Sequence, residues 1–121
     1  MLFQYGRFRA ASGRDLDWKI ECDALMVDDW EAIAKIAGPL LQPFQDVFGV
    51  PRGGLRLAYE LRPYITYDGP PLVVDDVWTS GKSMTKYVEG YSFRQWKGFV
   101  VFARGDTPEH VKYLFKQGMG E

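Results

Sequence analysis

The run Leu72-Val73-Val74-Asp75-Asp76-Val77-Trp78-Thr79-Ser80-Gly81-Lys82-Ser83 constrains this chain more than any other stretch. Its consecutive apolar residues belong on a strand covered on both faces, which is the habit of a parallel sheet. Two adjacent carboxylates inside such a layer would cost heavily in lost hydration. They therefore mark the carboxyl end of the strand. The hydroxyl and glycine residues that follow at once make a loop, and Ser83 to Tyr91 reads as the helix after it.

The rest of the chain repeats this alternation. Asp28 and Asp29 are N-cap candidates for a helix with Trp30, Ile33, Ala34 and Ala37 on one face, which Gly38-Pro39 should kink or end. A strand is expected at Val47–Val50, a helix at Leu55–Leu61, a strand at Leu72–Val74 and a strand at Phe99–Ala103. Pro108, capped by Asp106 or Thr107, opens an expected last helix with Val111, Leu114 and Phe115 inward and His110 outward. Strands alternating with helices imply an α/β fold with a parallel central sheet. Residues 3 to 9 and 17 to 22 alternate as two short strands about Ser12-Gly13. The length suits one domain, with a small β hood over about residues 1–24 and a core over about 25–121.

In open α/β sheets, ligands bind outside the carboxyl ends of the strands. Paired acids there suit ribose hydroxyls or a hydrated Mg²⁺, and the small loop suits a phosphate ester. Gly81-Lys82-Ser83 has the ending of a nucleotide-binding P-loop, yet Asp76 occupies the place of that motif's first glycine. A carboxylate there would point charge into the phosphate nest. A capping role at the strand end is the plainer reading of the two acids, and burial cost argues against it.

A second strand ending lies upstream, in Val47-Phe48-Gly49-Val50-Pro51-Arg52-Gly53-Gly54-Leu55. Two glycines allow close backbone approach, and Arg52 adds a forked set of donors. The amides at the start of the following helix favour an anion. An ordinary strand–turn–helix corner would use the same glycines.

The stretch Leu72–Ser83 resembles the phosphoribosyl pyrophosphate (PRPP) motif of the type I phosphoribosyltransferases: an apolar strand, two acids, a short link, then a hydroxyl- and glycine-rich loop. Trp78 is bulkier than the family's usual aliphatic residue, and Lys82 stands where small residues are common. Pro51-Arg52-Gly53-Gly54 resembles the family's pyrophosphate loop, which often holds a non-proline cis peptide; the corresponding bond is Pro51–Arg52. Phe8-Arg9-Ala10-Ala11-Ser12-Gly13-Arg14-Asp15-Leu16-Asp17-Trp18 is similar to the hood of orotate phosphoribosyltransferases, with Ala10 and Asp17 departing from that pattern. Gly98–Gly105 supplies a further strand and turn. These matches fall in family order over roughly residues 8 to 115, and the orotate-like branch is the nearest.

The resemblance implies transfer of a phosphoribosyl group from PRPP to a nitrogenous base, with an orotate-like pyrimidine favoured and pyrophosphate released. It implies that Thr79, Ser80, Gly81, Lys82 and Ser83 hold the 5′-phosphate. Asp75 and Asp76 would hold the ribose hydroxyls, directly or through Mg²⁺, and with Arg52 form the catalytic set. Pro51, Arg52, Gly53 and Gly54 would hold pyrophosphate. Ser12, Gly13, Trp18, Lys19 and Arg104 are the candidates for contacting the base. Trp18 also fits a core position, Lys82 a solvated one and Arg104 a surface one. The implied partners are PRPP, a nucleobase and a second copy of the chain.

Composition narrows the alternatives. Lys and Arg number 15 against 16 Asp and Glu, so no overall field attracts nucleic acid. Cys22 and His110 are the single cysteine and histidine, too few for a zinc site and leaving no internal disulfide. No apolar stretch is long enough to span a membrane, and a cytoplasmic protein is expected.

One feature of the family is missing. Members usually carry a long mobile hairpin between the pyrophosphate loop and the PRPP motif. Here only Arg62-Pro63-Tyr64-Ile65-Thr66-Tyr67-Asp68-Gly69-Pro70-Pro71 stands there, room for a short strand and a turn, with Arg62 its one cation. Closure excludes water from a reaction, so a non-catalytic PRPP or nucleotide sensor of the same fold is the rival reading. A structural subunit is a third, against which two retained acids and Arg52 argue. The aromatics Tyr64, Tyr67, Tyr91, Phe93 and Trp96 suit either an interface between subunits or the core of a trimmed domain.

Overall fold

Four parallel strands in the order β1-β2-β3-β4 carry the molecule. The computed structural model describes residues 27–116. Helix α1 (Val27–Leu41) leads into β1 (Val47–Gly49), followed by α2 (Leu55–Leu61) and a 3₁₀ turn (Arg62–Tyr64). Next come β2 (Leu72–Trp78), α3 (Lys82–Tyr91), β3 (Lys97–Ala103) and β4 (Val111–Lys116). Leu72 lies beside both Val47 and Lys97, and Gly98 beside Val111, so β2 and β3 are central. The expected hood, with Ser12, Gly13, Trp18, Lys19 and Cys22, lies outside the described residues.

The apolar runs are explained by cover on both faces. Alternate side chains of a strand point to opposite sides. Leu72 and Val74 join Trp30, Ile33, Ala37 and Leu41 of α1 and Leu57 and Leu61 of α2 in one core. Val73 joins Met84 and Val88 of α3, with Val100 and Val111, in the other. Leu57 and Leu61 are fully buried, and each such side chain stabilises the fold by about 1.5–3 kcal/mol relative to exposure.

Two expectations are corrected. Helix α1 does not end at Gly38-Pro39 but runs on to Leu41 with Pro39 inside it. Proline removes the bond to the carbonyl four residues earlier, here that of Lys35, an exposed residue. Gly38 is held against Tyr64, whose ring a Cβ at that position would overlap. Asp28 and Asp29 fall within the first helical turn rather than ahead of it, where acids still complement the helix dipole.

The second correction is the last element, which is a strand and not a helix. Val111, Leu114 and Phe115 satisfy helical spacing, but Val111, Tyr113 and Phe115 satisfy period two equally well. The tie is broken by β3, whose outer backbone edge would otherwise lack a partner. Phe115 stacks on its register partner Phe102 at 5.4 Å between centroids. The return from Ala103 to Val111 must reach back to the level of Gly98, the register partner of Val111, a run of five residues or about 17 Å at ~3.3 Å each. The connection Arg104–His110 spends most of its length on that. His110 is exposed in it and meets Trp96 edge-on at 4.6 Å.

Candidate active site at the carboxyl end of the sheet

The Pro51–Gly54 turn and the acid pair are brought together by adjacency of β1 and β2. The Val50 amide donates to the Val74 carbonyl at 2.9 Å, carrying the pairing one step past β1. The chain then turns through Pro51–Gly54 into α2, and the Pro51–Arg52 peptide is cis, the bond singled out by the family resemblance. Gly54 is buried in this turn. A Cβ there would overlap the Val74 carbonyl oxygen and crowd the backbone of Val50. Its own amide donates to the Val50 carbonyl at 2.8 Å, so Gly54 contributes close approach rather than a free donor. A Cβ on Gly53 would overlap the Asp76 carboxylate. Arg52 stands exposed at the tip.

Strand β2 continues beyond Val74 to Trp78, so both acids are in the strand rather than past it. Their side chains take different sides. Asp76 faces Gly53, and its Oδ1 accepts from the Val77 amide at 2.8 Å. Asp75 is buried and lines a narrow cavity of about 30 Å³ with Thr79, Ser80, Gly81, Lys82 and Ser83. Burial pushes the Asp75 carboxyl up to about 8; the hydrogen bond and like charge of Asp76 add to the rise, and the Asp76 amide, donating to its Oδ1 at 2.8 Å, opposes it. Burial beside Asp76 thus favours the protonated form of Asp75.

The loop after β2 is shaped for a compact anion. Gly81 has φ +83° and ψ 0°, a left-handed conformation suited to glycine, and heads α3 with no side-chain cap. The Lys82 amide approaches the Ser80 hydroxyl at 3.4 Å. The next amides of the first helical turn have no partner within the helix, and with the dipole they favour negative charge. Lys82 and Ser83 are exposed at the rim. The loop thus offers hydroxyls, amides and one ammonium to a phosphate-sized group.

Among the described residues no three His, Cys, Asp or Glu side chains cluster as a ready metal cage. Two carboxylates alone suit Mg²⁺, which keeps waters and takes its remaining ligands from substrate phosphates. The pair fits such an ion once Asp75 gives up its proton.

Two residues near the site carry more than the sequence reading gave them. Trp78 is buried, its ring lies against Gly81, and its Nε1–H donates to the Asp106 carbonyl at 3.1 Å. The Arg104 amide donates to the Trp78 carbonyl at 2.8 Å. A buried tryptophan needs an acceptor for its N–H, which is the one signal in the sequence that foretold such a link. Arg104 itself is exposed beside the Thr79–Ser83 loop.

The segment between α2 and β2 does not reach this site. It holds the 3₁₀ turn and an irregular run. The Thr66 amide donates to the Phe44 carbonyl at 3.0 Å, the Phe44 amide to the Thr66 hydroxyl at 2.8 Å and the Gln45 amide to the Pro70 carbonyl at 3.1 Å. Phe44 and Gln45 precede β1, so these bonds fasten the segment at the amino end of the sheet. Of the aromatics proposed for an interface, Tyr67 and Tyr91 are well exposed, whereas Tyr64, Phe93 and Trp96 are half-buried against the two cores.

No family model matches the sequence, and no curated protein matches it. Solved structures do resemble it. An orotate phosphoribosyltransferase from Aeropyrum pernix superposes with a TM-score of 0.60 over 93% of this chain and 86% of its own, at 20% identity. A purine phosphoribosyltransferase from Pyrococcus horikoshii gives 0.53 over 76% and 82%, at 20% identity. A xanthine-guanine-hypoxanthine phosphoribosyltransferase from Helicobacter pylori gives 0.52 over 77% and 82%, at 14% identity. The chain therefore has the α/β fold of the type I phosphoribosyltransferases.

Proposed function

We propose that this protein transfers the 5-phosphoribosyl group of PRPP to a nitrogenous base and releases pyrophosphate. One observation carries the reading: the Pro51–Gly54 turn, the Asp75-Asp76 pair and the Thr79–Ser83 loop converge at the carboxyl ends of two neighbouring parallel strands. That order of groups matches pyrophosphate, ribose and 5′-phosphate along one substrate, and the structural neighbours bear names of that activity.

In this reading the amides and hydroxyls of Thr79, Ser80, Gly81 and Ser83 hold the 5′-phosphate, with the Lys82 ammonium at the rim. Asp75 and Asp76 hold the ribose hydroxyls and offer their oxygens to Mg²⁺. Mg²⁺, when bound, neutralises charge on the pyrophosphate leaving group. Arg52 and the Gly53 amide hold the pyrophosphate, and Gly54 lets the turn approach. Positive charge develops at the anomeric carbon as its bond to pyrophosphate breaks, and the ionised acids face it. The protein's part is positioning and electrostatics rather than covalent chemistry. Arg104, beside the phosphate loop, is the base-side candidate among the described residues. A pyrimidine of the orotate type is the acceptor that the Ser12-Gly13 segment favours. We take the active form to be a cytoplasmic homodimer.

The fastening of Arg62–Pro71 at the far end of the sheet favours a second reading, a PRPP sensor without turnover. Pyrophosphate release from Mg-PRPP, measured with orotate and then with other pyrimidines and purines, separates them. Base-dependent release establishes the transferase and names its acceptor. Binding by calorimetry without release establishes the sensor. Asp75→Asn with Asp76→Asn abolishes Mg-PRPP binding in either case, and unchanged affinity in that double variant would remove the acids from the site.

A further inference from the structure

The loop after β3 is tied to the phosphate loop by one side chain. Trp78 lies between them, its ring against Gly81 and its Nε1–H on the Asp106 carbonyl at 3.1 Å. The backbone repeats the connection, since the Arg104 amide donates to the Trp78 carbonyl at 2.8 Å and a Cβ on Gly105 would come into contact with the Thr79 carbonyl. The far side of the loop is anchored too. The Asp106 carboxylate meets Lys116 Nζ at 3.0 Å, and the Thr107 hydroxyl donates to the Val111 carbonyl at 3.1 Å. Arg104–Thr107 is thus a braced loop whose inner support is an indole.

We infer that Trp78 is a positioning residue that sets the acceptor side of the site from the phosphate side. This rests on the transferase reading above and assigns Trp78 a part in it that no phosphate, ribose or pyrophosphate contact accounts for. An aliphatic residue at this position could pack on Gly81 but has no N–H, so the Asp106 carbonyl would lose its donor and the Arg104 loop its inner support. A rigid ring that touches both loops transmits a shift in either to the other, because packed groups do not deform freely.

Gly81 meets the far, benzo edge of the indole, which a phenyl ring does not reach, so the test replaces Trp78 site-specifically by benzothienylalanine, keeping the bicyclic ring and removing the N–H. Pyrophosphate release is measured with base and PRPP varied separately. The expected result is a rise of about three- to tenfold in the KM for the base, the usual worth of one neutral hydrogen bond. The KM for PRPP should stay within about twofold. Trp78→Phe and Trp78→Leu, which also lose the ring packing on Gly81, should raise both. Unchanged kinetics in the benzothienyl variant, or equal rises in both KM values, would overturn the inference. If the wild type binds PRPP without turnover, hydrogen exchange replaces kinetics. PRPP should then protect the amides of Gly105–Thr107 in the wild type and fail to do so in the benzothienyl variant; equal protection overturns it. A wild type that neither binds PRPP nor releases pyrophosphate refutes the transferase reading and this inference with it, whereas a competent wild type with an indifferent benzothienyl variant refutes this inference alone.

Discussion

Gly53→Ala and Gly54→Ala, one residue apart, should fail in opposite ways. The atoms nearest a Cβ at Gly53 are those of the Asp76 carboxylate, the end of a short side chain that can rotate aside. Rotation breaks the bond from the Val77 amide to Asp76 Oδ1, a loss of about 0.5–1.5 kcal/mol. The fold should therefore survive with about that much less stability. The site should not, because Asp76 would no longer face the substrate. Losing a charge-assisted contact of that kind removes roughly 1.5–3 kcal/mol of binding, or about ten- to 150-fold in affinity. A Cβ at Gly54 meets backbone, the Val74 carbonyl and the Val50 amide, which cannot move without parting β1 from β2. Overpacking of that sort costs about 1–3 kcal/mol or more. Urea unfolding reads the first quantity and calorimetry with Mg-PRPP the second. Full affinity in Gly53→Ala would show that Asp76 does not serve the ligand. Equal destabilisation by the two variants would show that the Gly53–Asp76 contact is as rigid as backbone, and the reasoning fails.

Two further predictions follow from single groups. Asp75, raised by burial to about 8 from an ordinary 3.8, keeps its proton in the native state between those values while the unfolded chain has released it. Raising pH through that window therefore favours unfolding, by up to about 1.4 kcal/mol per unit. Urea midpoints of the protein without Mg²⁺ or ligand should fall from pH 5 to 8, and Asp75→Asn should flatten the fall; parallel slopes would sink the assignment. Arg52→Ala, at the exposed tip of its turn, should weaken inhibition by pyrophosphate about tenfold or more and leave binding of a 5′-monophosphate nearly unchanged, with equal losses counting against its role.

The parts of the fold that could be read from sequence are those where chemistry and burial change at one point. The apolar runs before Asp75 and before Pro51-Arg52 each located a strand, although β2 runs on through both acids to Trp78. α2 was bounded correctly at both ends because Gly54 and Arg62-Pro63 punctuate it. What stayed hidden depended on partners distant in sequence. The strand at Val111–Lys116 exists because β3 offers an edge. Pro39 is tolerated because Lys35 happens to face water. The bond from Trp78 to Asp106 spans two elements, and a lone bulky residue in a motif shows only that something must pack there.

The acid pair shows how one strand end can serve two loops. Adjacent residues on a strand point to opposite faces, so Asp75 and Asp76 meet different loops while their carboxyl groups stay close enough to hydrogen-bond and repel. Their division puts Asp76 against the Pro51–Gly54 turn and Asp75 beneath the Thr79–Ser83 loop. A ligand that spans both loops must then cross the end of β2, with an acid on either side of it. A ring carrying two anionic arms has that shape. The fastening of Arg62–Pro71 to Phe44 and Gln45 bears on the same point from below. In this conformation that segment occupies the amino end of the sheet, so cover for a ligand at the carboxyl end must come from other residues, of this chain or of a second subunit. Water exclusion and base selection would then depend on the same cover, and the braced Arg104 loop, held to the Thr79–Ser83 loop by Trp78, would be the wall against which it closes.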